Sequence, residues 1–286
     1  MKVCVLGANF PELRRFWWKP LLDMSQEVHE PNMADIVLVS RLLPEDKLVP
    51  NNIPLLYFID DLYWKLYPQH GGRKLLISRA EKVIPRANLV VASTDFLREC
   101  LAIYFPNKKV LSLRLCLTEE KPYQAPTKLV LNMGKNAHDI DLIASGLNLL
   151  LEKLQHKYNL QIIGVSSLLK LNNYLPYNHC LSAMTHSLGL IPLKDDYSFN
   201  YAKSLLKVFE YVSRGSVCVF SHISYGDYGL LTRKIPDLVV EKDWISKVDE
   251  VWNNPQEFYE QLLSFCRNYG DYSIAKERWE RVLSEI

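Results

Sequence analysis

Short runs of β-branched and apolar residues, returning at intervals along the first part of the chain, constrain its fold more than any other feature. They are Val3–Leu6, Ile36–Val39, Leu55–Phe58, Leu89–Ala92 and Val110–Leu113. Each is apolar almost without interruption. Strict alternation would mark a sheet with one wet face, whereas continuous runs mark strands of a parallel sheet covered on both sides. Helical patterns fall between them, at Arg73–Arg86 and Thr94–Tyr104, and the second opens on Ser93-Thr94-Asp95, side chains suited to an N-cap. Strand–helix alternation of this kind predicts a doubly wound α/β sheet.

The pattern breaks at Thr118–Thr127, a polar stretch with two prolines that reads as an interdomain linker. A second series follows. Strands are expected at Leu129–Asn132, Leu160–Ile163, Leu188–Pro192, Val217–Phe220 and Leu238–Val240, and helices at Asp139–Leu154, Lys203–Ser213, Trp244–Trp252, Pro255–Tyr269 and Ser273–Ile286. The chain has 286 residues, enough for two domains at about 150 residues each. Two Rossmann-like halves in tandem are expected, residues 1–122 and 123–271. The cleft between them is the default ligand site, because α/β sheets bind at the carboxyl ends of their strands.

Composition narrows the function classes. Hydrophobic residues make up 48% and charged residues 23%, which excludes a disordered or collagen-like chain. A net charge of +2 supplies no global attraction to nucleic acid. No apolar run approaches the roughly 18–20 residues that span a bilayer, and the apolar start Val3–Leu6 is too short for a signal peptide. The cysteines Cys4, Cys100, Cys116, Cys180, Cys218 and Cys266 are scattered without a CxxC pair, as expected for reduced thiols in a cytoplasmic protein.

The most informative segment runs from Leu190 to Ser221: strand, polar loop, helix, strand. Ser198 or Asn200 can cap the helix, and Gly215 can end it at C′. Lys203, Lys207 and Glu210 are spaced to share one helical face. Free N–H groups at the helix start, with Lys203 and Ser204, suit a phosphate or diphosphate, and Glu210 suits the hydroxyls of a ribose. Spacing alone leaves open a second reading, a solvated face held by i,i+3 and i,i+4 pairing.

This segment resembles the donor-binding motif of retaining GT-B glycosyltransferases of the group-1 set (family 4, related to glycogen synthases). Pro192-Leu193, Lys203-Ser204, Lys207, Glu210-Tyr211, Gly215, Val217, Val219 and Ser221 match that motif in order and spacing. The resemblance implies that Glu210 holds the nucleotide ribose and that Lys203 and Ser204 face the diphosphate or donor sugar. Two positions depart from the motif: Ala202 stands where many members carry a second glutamate, and Ser216 where proline is usual. Weaker matches extend over most of the chain. Asn132–Asp141 is similar to the first donor-domain loop, placing Gly134, Lys135 and His138 on the donor side. Leu160–Gly164 resembles the strand whose glycine, here Gly164, approaches the nucleotide. Tyr57–Trp64 resembles the acceptor-domain segment that contains Asp60-Asp61, and Val91–Thr94 another strand end of that domain. Tyr272–Trp279 is similar to the C-terminal helix that packs back on the N-terminal half, so residues 272–286 are expected to return there.

What the resemblance implies is a GT-B α/β fold and transfer of a sugar, with retention, from a nucleotide diphosphate sugar to a glycan, lipid-linked or protein acceptor. Lys203, Lys135, Asp61 and His138 are then the catalytic candidates. Gly134, Gly164, Ser204, Lys207 and Glu210 are the donor-binding ones. Lysines and helix dipoles, rather than a metal, would neutralise the diphosphate. No metal and no separate cofactor are expected, the donor being a substrate.

Competing motifs are weak. Asp60-Asp61 and Asp195-Asp196 could ligate a metal or form a glycosidase pair, but acids are common at strand ends. His179-Cys180 with His186 fits no zinc frame. The run Arg14–Lys19, with Trp17 and Trp18, suits an anionic membrane surface or a sugar acceptor; the competing expectation is an amphipathic helix burying one tryptophan. Gly7 belongs to no G-x-G-x-x-G, and no hydrolase or P-loop motif is present. Two other functions remain open. One is a catalytically silent GT-B module serving a partner glycosyltransferase, motivated by the short first half and Ala202. The other is an epimerase of nucleotide-sugar metabolism.

Overall fold

Burial on both faces is what the apolar runs require, and each of them lies in a parallel strand. The computed structural model describes residues 1–7, 11–40, 49–65, 73–134, 151–166, 171–173, 175–195 and 198–286. The chain divides into two compact units. The first comprises Met1–Thr118, Ala202–Ser204 and Tyr269–Ile286, and the second Glu119–Tyr201 and Leu205–Asn268.

In the first unit, β1 (Lys2–Gly7), β2 (Gln26–Val28), β3 (Ile36–Ser40), β4 (Leu55–Ile59), β5 (Leu89–Ala92) and β6 (Val110–Ser112) form one sheet in the order β2-β1-β3-β4-β5-β6. Every pairing is parallel. All residues of β3, β4 and β5 are buried, as strands covered by helices on both faces should be. The edge strand β2 was not legible in the sequence because only Val28 of its three residues is buried.

The helices of this part are α1 (Pro11–Phe16), α2 (Lys19–Asp23), α3 (Arg73–Val83) and α4 (Asp95–Tyr104). Thr94 caps α4, its hydroxyl accepting from the Leu97 N–H at 3.0 Å. The Arg14–Lys19 run is not one amphipathic helix. It is the junction of α1 and α2, and both Trp17 and Trp18 are buried, with ring centroids 5.8 and 5.9 Å from Phe58. Neither ring is available to a membrane or a sugar; of the basic residues there, Arg14 is paired with Glu27.

The second unit holds β7 (Lys128–Gly134), β8 (Leu160–Ser166), β9 (Leu171–Asn173), β10 (Ser187–Ile191), β11 (Val217–Ser221) and β12 (Val239–Val240), ordered β12-β11-β10-β7-β8-β9. Only β9 runs antiparallel, against β8. Its helices are α5 (151–157), α6 (Tyr177–Met184), α7 (Ser198–Tyr201), α8 (Leu206–Val212), α9 (Gly226–Lys234), α10 (Trp244–Asn253) and α11 (Pro255–Tyr269). Asp243 caps α10, accepting from Ile245 N and Ser246 N.

The polar, proline-containing stretch after Thr118 is not a loose linker. Gln124 N donates to Gly215 O at 3.0 Å, Tyr259 Oη donates to Lys121 O at 3.2 Å, and Glu120 pairs with Arg267. These contacts place residues from Glu119 onward with the second unit, whereas composition alone put the boundary after Pro122.

The last helix, α12 (Tyr272–Leu283), is capped by Asp271 and belongs to the first unit. Its Trp279 is fully buried and donates from Nε1 to the Trp17 carbonyl at 2.6 Å. Burial of an indole at about 25 cal/mol per Å2 is worth about 5 kcal/mol, which anchors α12.

Candidate functional site

Strand order in the second sheet reverses at β7, with β8 on one side and β10 on the other. Open α/β sheets bind ligands beyond the carboxyl ends of the strands at such a point. There β7 ends in Asn132, Met133 and Gly134, and Gly134 lies in register with Gly164 of β8 after a shift that begins at Asn132. Gly164 has φ 136°, a conformation that side chains disfavour. Two of the expected donor-side residues are therefore neighbours, and bare backbone is presented on adjacent strands. Lys135 and His138 lie outside the described residues.

Between β10 and β11 the sequence predicts one helix over Lys203–Ser213. The structure has two shorter ones, α7 and α8, separated by residues 202–205. Two hydrogen bonds accompany the break. Asn200 Nδ2 donates to Lys194 O at 3.0 Å, folding α7 back on the preceding loop. The Ala202 carbonyl, which a continuous helix would offer to Leu206, accepts from the Thr94 hydroxyl at 3.2 Å. The N-cap of α8 is Leu205, which has no capping side chain.

Lys203 and Ser204 consequently do not share a helical face with Lys207 and Glu210. They group with the first unit, Lys207 and Glu210 with the second. Both lysines are half-buried. The solvated-face alternative is overturned for the acid, since Glu210 is only 4% exposed. Ala202, at the position of the family's second glutamate, is itself buried and offers its backbone rather than a side chain.

The rest of the motif is structural. Tyr211 lies across β10 and β7, its hydroxyl donating to the Val130 carbonyl at 2.9 Å, and a Cβ on Gly189 would fall 2.5 Å from its ring. Burial pushes the Tyr211 phenol well above its ordinary value, so it remains a donor. Gly215, at φ 73°, closes α8. Gly215 N donates to Val212 O at 3.0 Å and Ser216 N to Tyr211 O at 3.1 Å, the paired bonds of a Schellman ending. A Cβ at Gly215 would lie 2.1 Å from the Pro122 carbonyl. Ser216, the departure from proline, donates from its hydroxyl to Met184 O at 2.7 Å. Ser221 accepts from Leu193 N at 2.8 Å, tying the end of β11 to the residue after Pro192.

Sequence reasoning missed the loop after β11. Asp195 takes both Ser224 donors, the backbone N–H on Oδ1 and the hydroxyl on Oδ2, each at 2.6 Å, and His222 Nδ1 lies 3.8 Å from Oδ2. Asp195 thus fastens the loop after β10 to the loop after β11; Asp196 lies outside the described residues. Immediately beyond, α9 starts at Gly226, and its N-cap residue Tyr225 makes no side-chain capping bond. Gly226 has φ 69°, and a Cβ there would meet the Tyr201 carbonyl at 2.0 Å. The signal available in the sequence was Gly226, five residues after Ser221 at the end of β11 and preceded by Ser224 and Tyr225.

In the first unit, Asp60 and Asp61 follow β4. Asp60 is buried, accepting from Tyr63 Oη at 3.1 Å, while its carbonyl accepts from Ser93 Oγ at 3.0 Å. Asp61 is half-buried beside it. Among the described residues no group of three or more His, Cys, Asp or Glu is placed to hold a metal. Cys180 donates to Leu175 O within its own helix approach, apart from any metal set. No helix among the described residues is long and apolar enough to cross a membrane.

No family model matches the chain, and no curated protein does either. Solved structures do. TarM aligns over 87% of this chain and 54% of its own, at TM-score 0.56 and 14% identity. A variant of S. aureus TarM in complex with fondaparinux, α-GlcNAc-glycerol and UDP gives TM-score 0.60 at 13% identity, over 86% of this chain and 55% of its own. Sucrose-phosphate synthase from Thermosynechococcus elongatus gives 0.53 at 11% identity, over 88% and 74%. The chain spans little more than half the length of the TarM structures. Together with two parallel-sheet units, these matches define a GT-B α/β fold.

Proposed function

We propose that the protein is a glycosyltransferase that takes a sugar from a nucleotide diphosphate sugar. The observation that carries this reading is Glu210, an acid held at 4% exposure on α8 behind the switch point of a GT-B unit. A carboxylate so far removed from water needs hydrogen-bond donors around it, and the hydroxyls of a ribose are donors of that kind. In the proposed complex its carboxylate accepts from the ribose hydroxyls. Gly134 and Gly164 are assigned to let the nucleotide approach backbone, and Ser204 and Lys207 are assigned to the phosphates.

In the transfer, the bond from the anomeric carbon to the diphosphate oxygen breaks and a bond to an acceptor hydroxyl oxygen forms. The hydroxyl proton passes to the departing diphosphate oxygen, which leaves with the bonding electrons. Lys203 and Lys135 are assigned to stabilise the charge that grows on the diphosphate. Preorganised cations of this kind act where charge develops, with no metal in the scheme. Asp61 and His138 are assigned to the acceptor and donor-sugar sides. Retention of configuration, a glycan, lipid-linked or protein acceptor and a cytoplasmic location complete the proposal.

UDP is the first nucleotide to test, since it occupies the S. aureus TarM variant of the same fold. Saturating UDP at about 100 times its Kd should stabilise the protein by about 2.7 kcal/mol in a thermal melt. Glu210→Gln should weaken UDP binding about tenfold or more, the loss of a hydrogen bond to a charged group, with the ligand-free melt little changed. Lys203→Ala should bind UDP yet lower turnover about 100-fold. UDP binding unaltered in Glu210→Gln would remove the ribose assignment. Nucleotide binding without turnover on any acceptor would favour a silent module working with a partner transferase.

A further inference from the structure

The end of β6, the first turn of α4 and the last turns of α12 line an open cavity of about 180 Å3 within the first unit. That is the share of about six liquid waters, at about 30 Å3 each. Arg98, Arg278 and Arg281 line it together with Asp95 and Ser112. Nothing in the motif described above involves these residues.

Their charges do not balance. Asp95 Oδ2 lies 3.5 Å from Arg114 and its Oδ1 lies 4.0 Å from Arg278, while the Ser112 hydroxyl donates to the same carboxylate. Arg98 pairs with Glu99 on the exposed face of α4 at 3.1 Å. Three guanidinium groups and one carboxylate therefore line the cavity. No carboxylate among the described residues pairs with Arg281. Like charges converging on a concave surface raise its potential and favour an anion there.

Asp95 does not cancel this arrangement; it organises it. Burial pushes its carboxyl up, but the Ser112 hydroxyl and Arg278, Arg114 and Arg98 together bring it below its ordinary value. It stays ionised at neutral pH and holds Arg114 and Arg278 in place. Guanidinium forks match the oxygens of a phosphate in pairs, which lysines do not.

We propose that this cavity is a phosphate-binding site of the first unit, in which Arg98, Arg278 and Arg281 grip the phosphate group of a ligand while Asp95 positions the guanidinium cluster. The same chemistry serves a free or terminal phosphate and a phosphodiester inside a polymer. The site stands independently of the transferase reading, because its test reads binding alone.

The experiment is calorimetric titration of the full chain with inorganic phosphate and, separately, with the diester bis-glycerol phosphate, at constant ionic strength set by chloride. One saturable site is expected. Arg281→Glu should weaken it by at least about tenfold, as loss of a charge-assisted contact does. Lys276→Glu makes the same charge change on the same helix, at a residue 3.8 Å from Glu280 and outside the cavity lining, and should alter binding less than about twofold. Tighter binding of inorganic phosphate would assign the site to a free or terminal phosphate, and tighter binding of the diester to a polymer backbone. Three results would overturn the proposal: no saturable binding by the native chain, native affinity in Arg281→Glu, or equal losses in both variants.

Discussion

The two units bury aromatic side chains for different ends. In the first, Trp17, Trp18, Phe58 and Trp279 are core side chains, and Trp279 donates to the Trp17 carbonyl. In the second, Tyr211 fills the space above Gly189 and bonds to Val130, while the adjacent residue on the same short helix is the buried acid Glu210. The basic-aromatic run of the first unit looks like a binding surface in the sequence and is core. The motif of the second unit looks uniformly functional and is mostly scaffold around one acid. A ligand site needs few special groups but many ordinary contacts to fix them.

The largest effect should come from the first unit. Trp279→Ala removes a fully buried indole and leaves the Trp17 carbonyl without its donor, so a loss of about 3–5 kcal/mol is expected in chemical denaturation. A loss below about 1 kcal/mol would mean that α12 does not anchor the first unit, and the contrast would fail.

Gly189→Ala tests the scaffold of the second. The added methyl would sit 2.5 Å from a ring held by its own hydrogen bond, and overpacking of this kind costs about 1–3 kcal/mol. Stability unchanged from the native chain would show that Tyr211 moves freely, and that the motif tyrosine is not scaffold.

Tyr211→Phe keeps the ring and removes only the donor to Val130, an expected cost of about 1–2 kcal/mol. UDP affinity measured on the same variant sharpens the comparison. It should stay near the native value, in contrast to Glu210→Gln, and an equal loss in both would merge the two roles.

The smallest effect is electrostatic. Asp95 and Glu120 both have folded-state pKa values below their ordinary ones. In Asp95, burial opposes the shift while Ser112 and the arginines produce it; in Glu120, the Arg267 hydrogen bond is the main cause. A depressed carboxylate stabilises the fold above the ordinary carboxylate range, and that contribution is lost as pH falls through the folded value, because the unfolded chain takes up the proton first. Asp95→Asn should therefore flatten the acid limb of the stability profile. The group is partly exposed, so the change should stay below about 1 kcal/mol. A steeper acid limb in Asp95→Asn would reverse the assignment.

Much of the fold was legible because parallel strands buried on both faces leave continuous apolar runs, and no other element does so at that spacing. The central strands of both sheets stand where such runs stand. Edge strand β2 was not legible, since a strand with one neighbour and a wet face needs few apolar residues, and β9, an edge strand of three residues, carries a single apolar one. At the site, Glu210, Gly134 and Gly164 were legible as residue types in a spacing. The separation of Lys203 and Ser204 from α8 was not, because it depends on a hydroxyl from Thr94, 108 positions away in sequence. The loop fastened by Asp195 was hidden for the same reason: its partner Ser224 lies 29 positions on.

By itself the sequence determined the parallel α/β architecture, the doubling of the unit, the C′ glycine at Gly215 and the helix cap at Thr94. These follow from side-chain periodicity and from backbone preferences that act within a few residues. Tertiary structure alone decided that Trp17 and Trp18 are core, that Glu210 is withdrawn from water, that Lys203 and Ser204 leave the helix, and that Arg98, Arg114 and Arg278 gather round Asp95. Burial and charge balance are sums over neighbours brought together from distant parts of the chain, and no local spacing contains them.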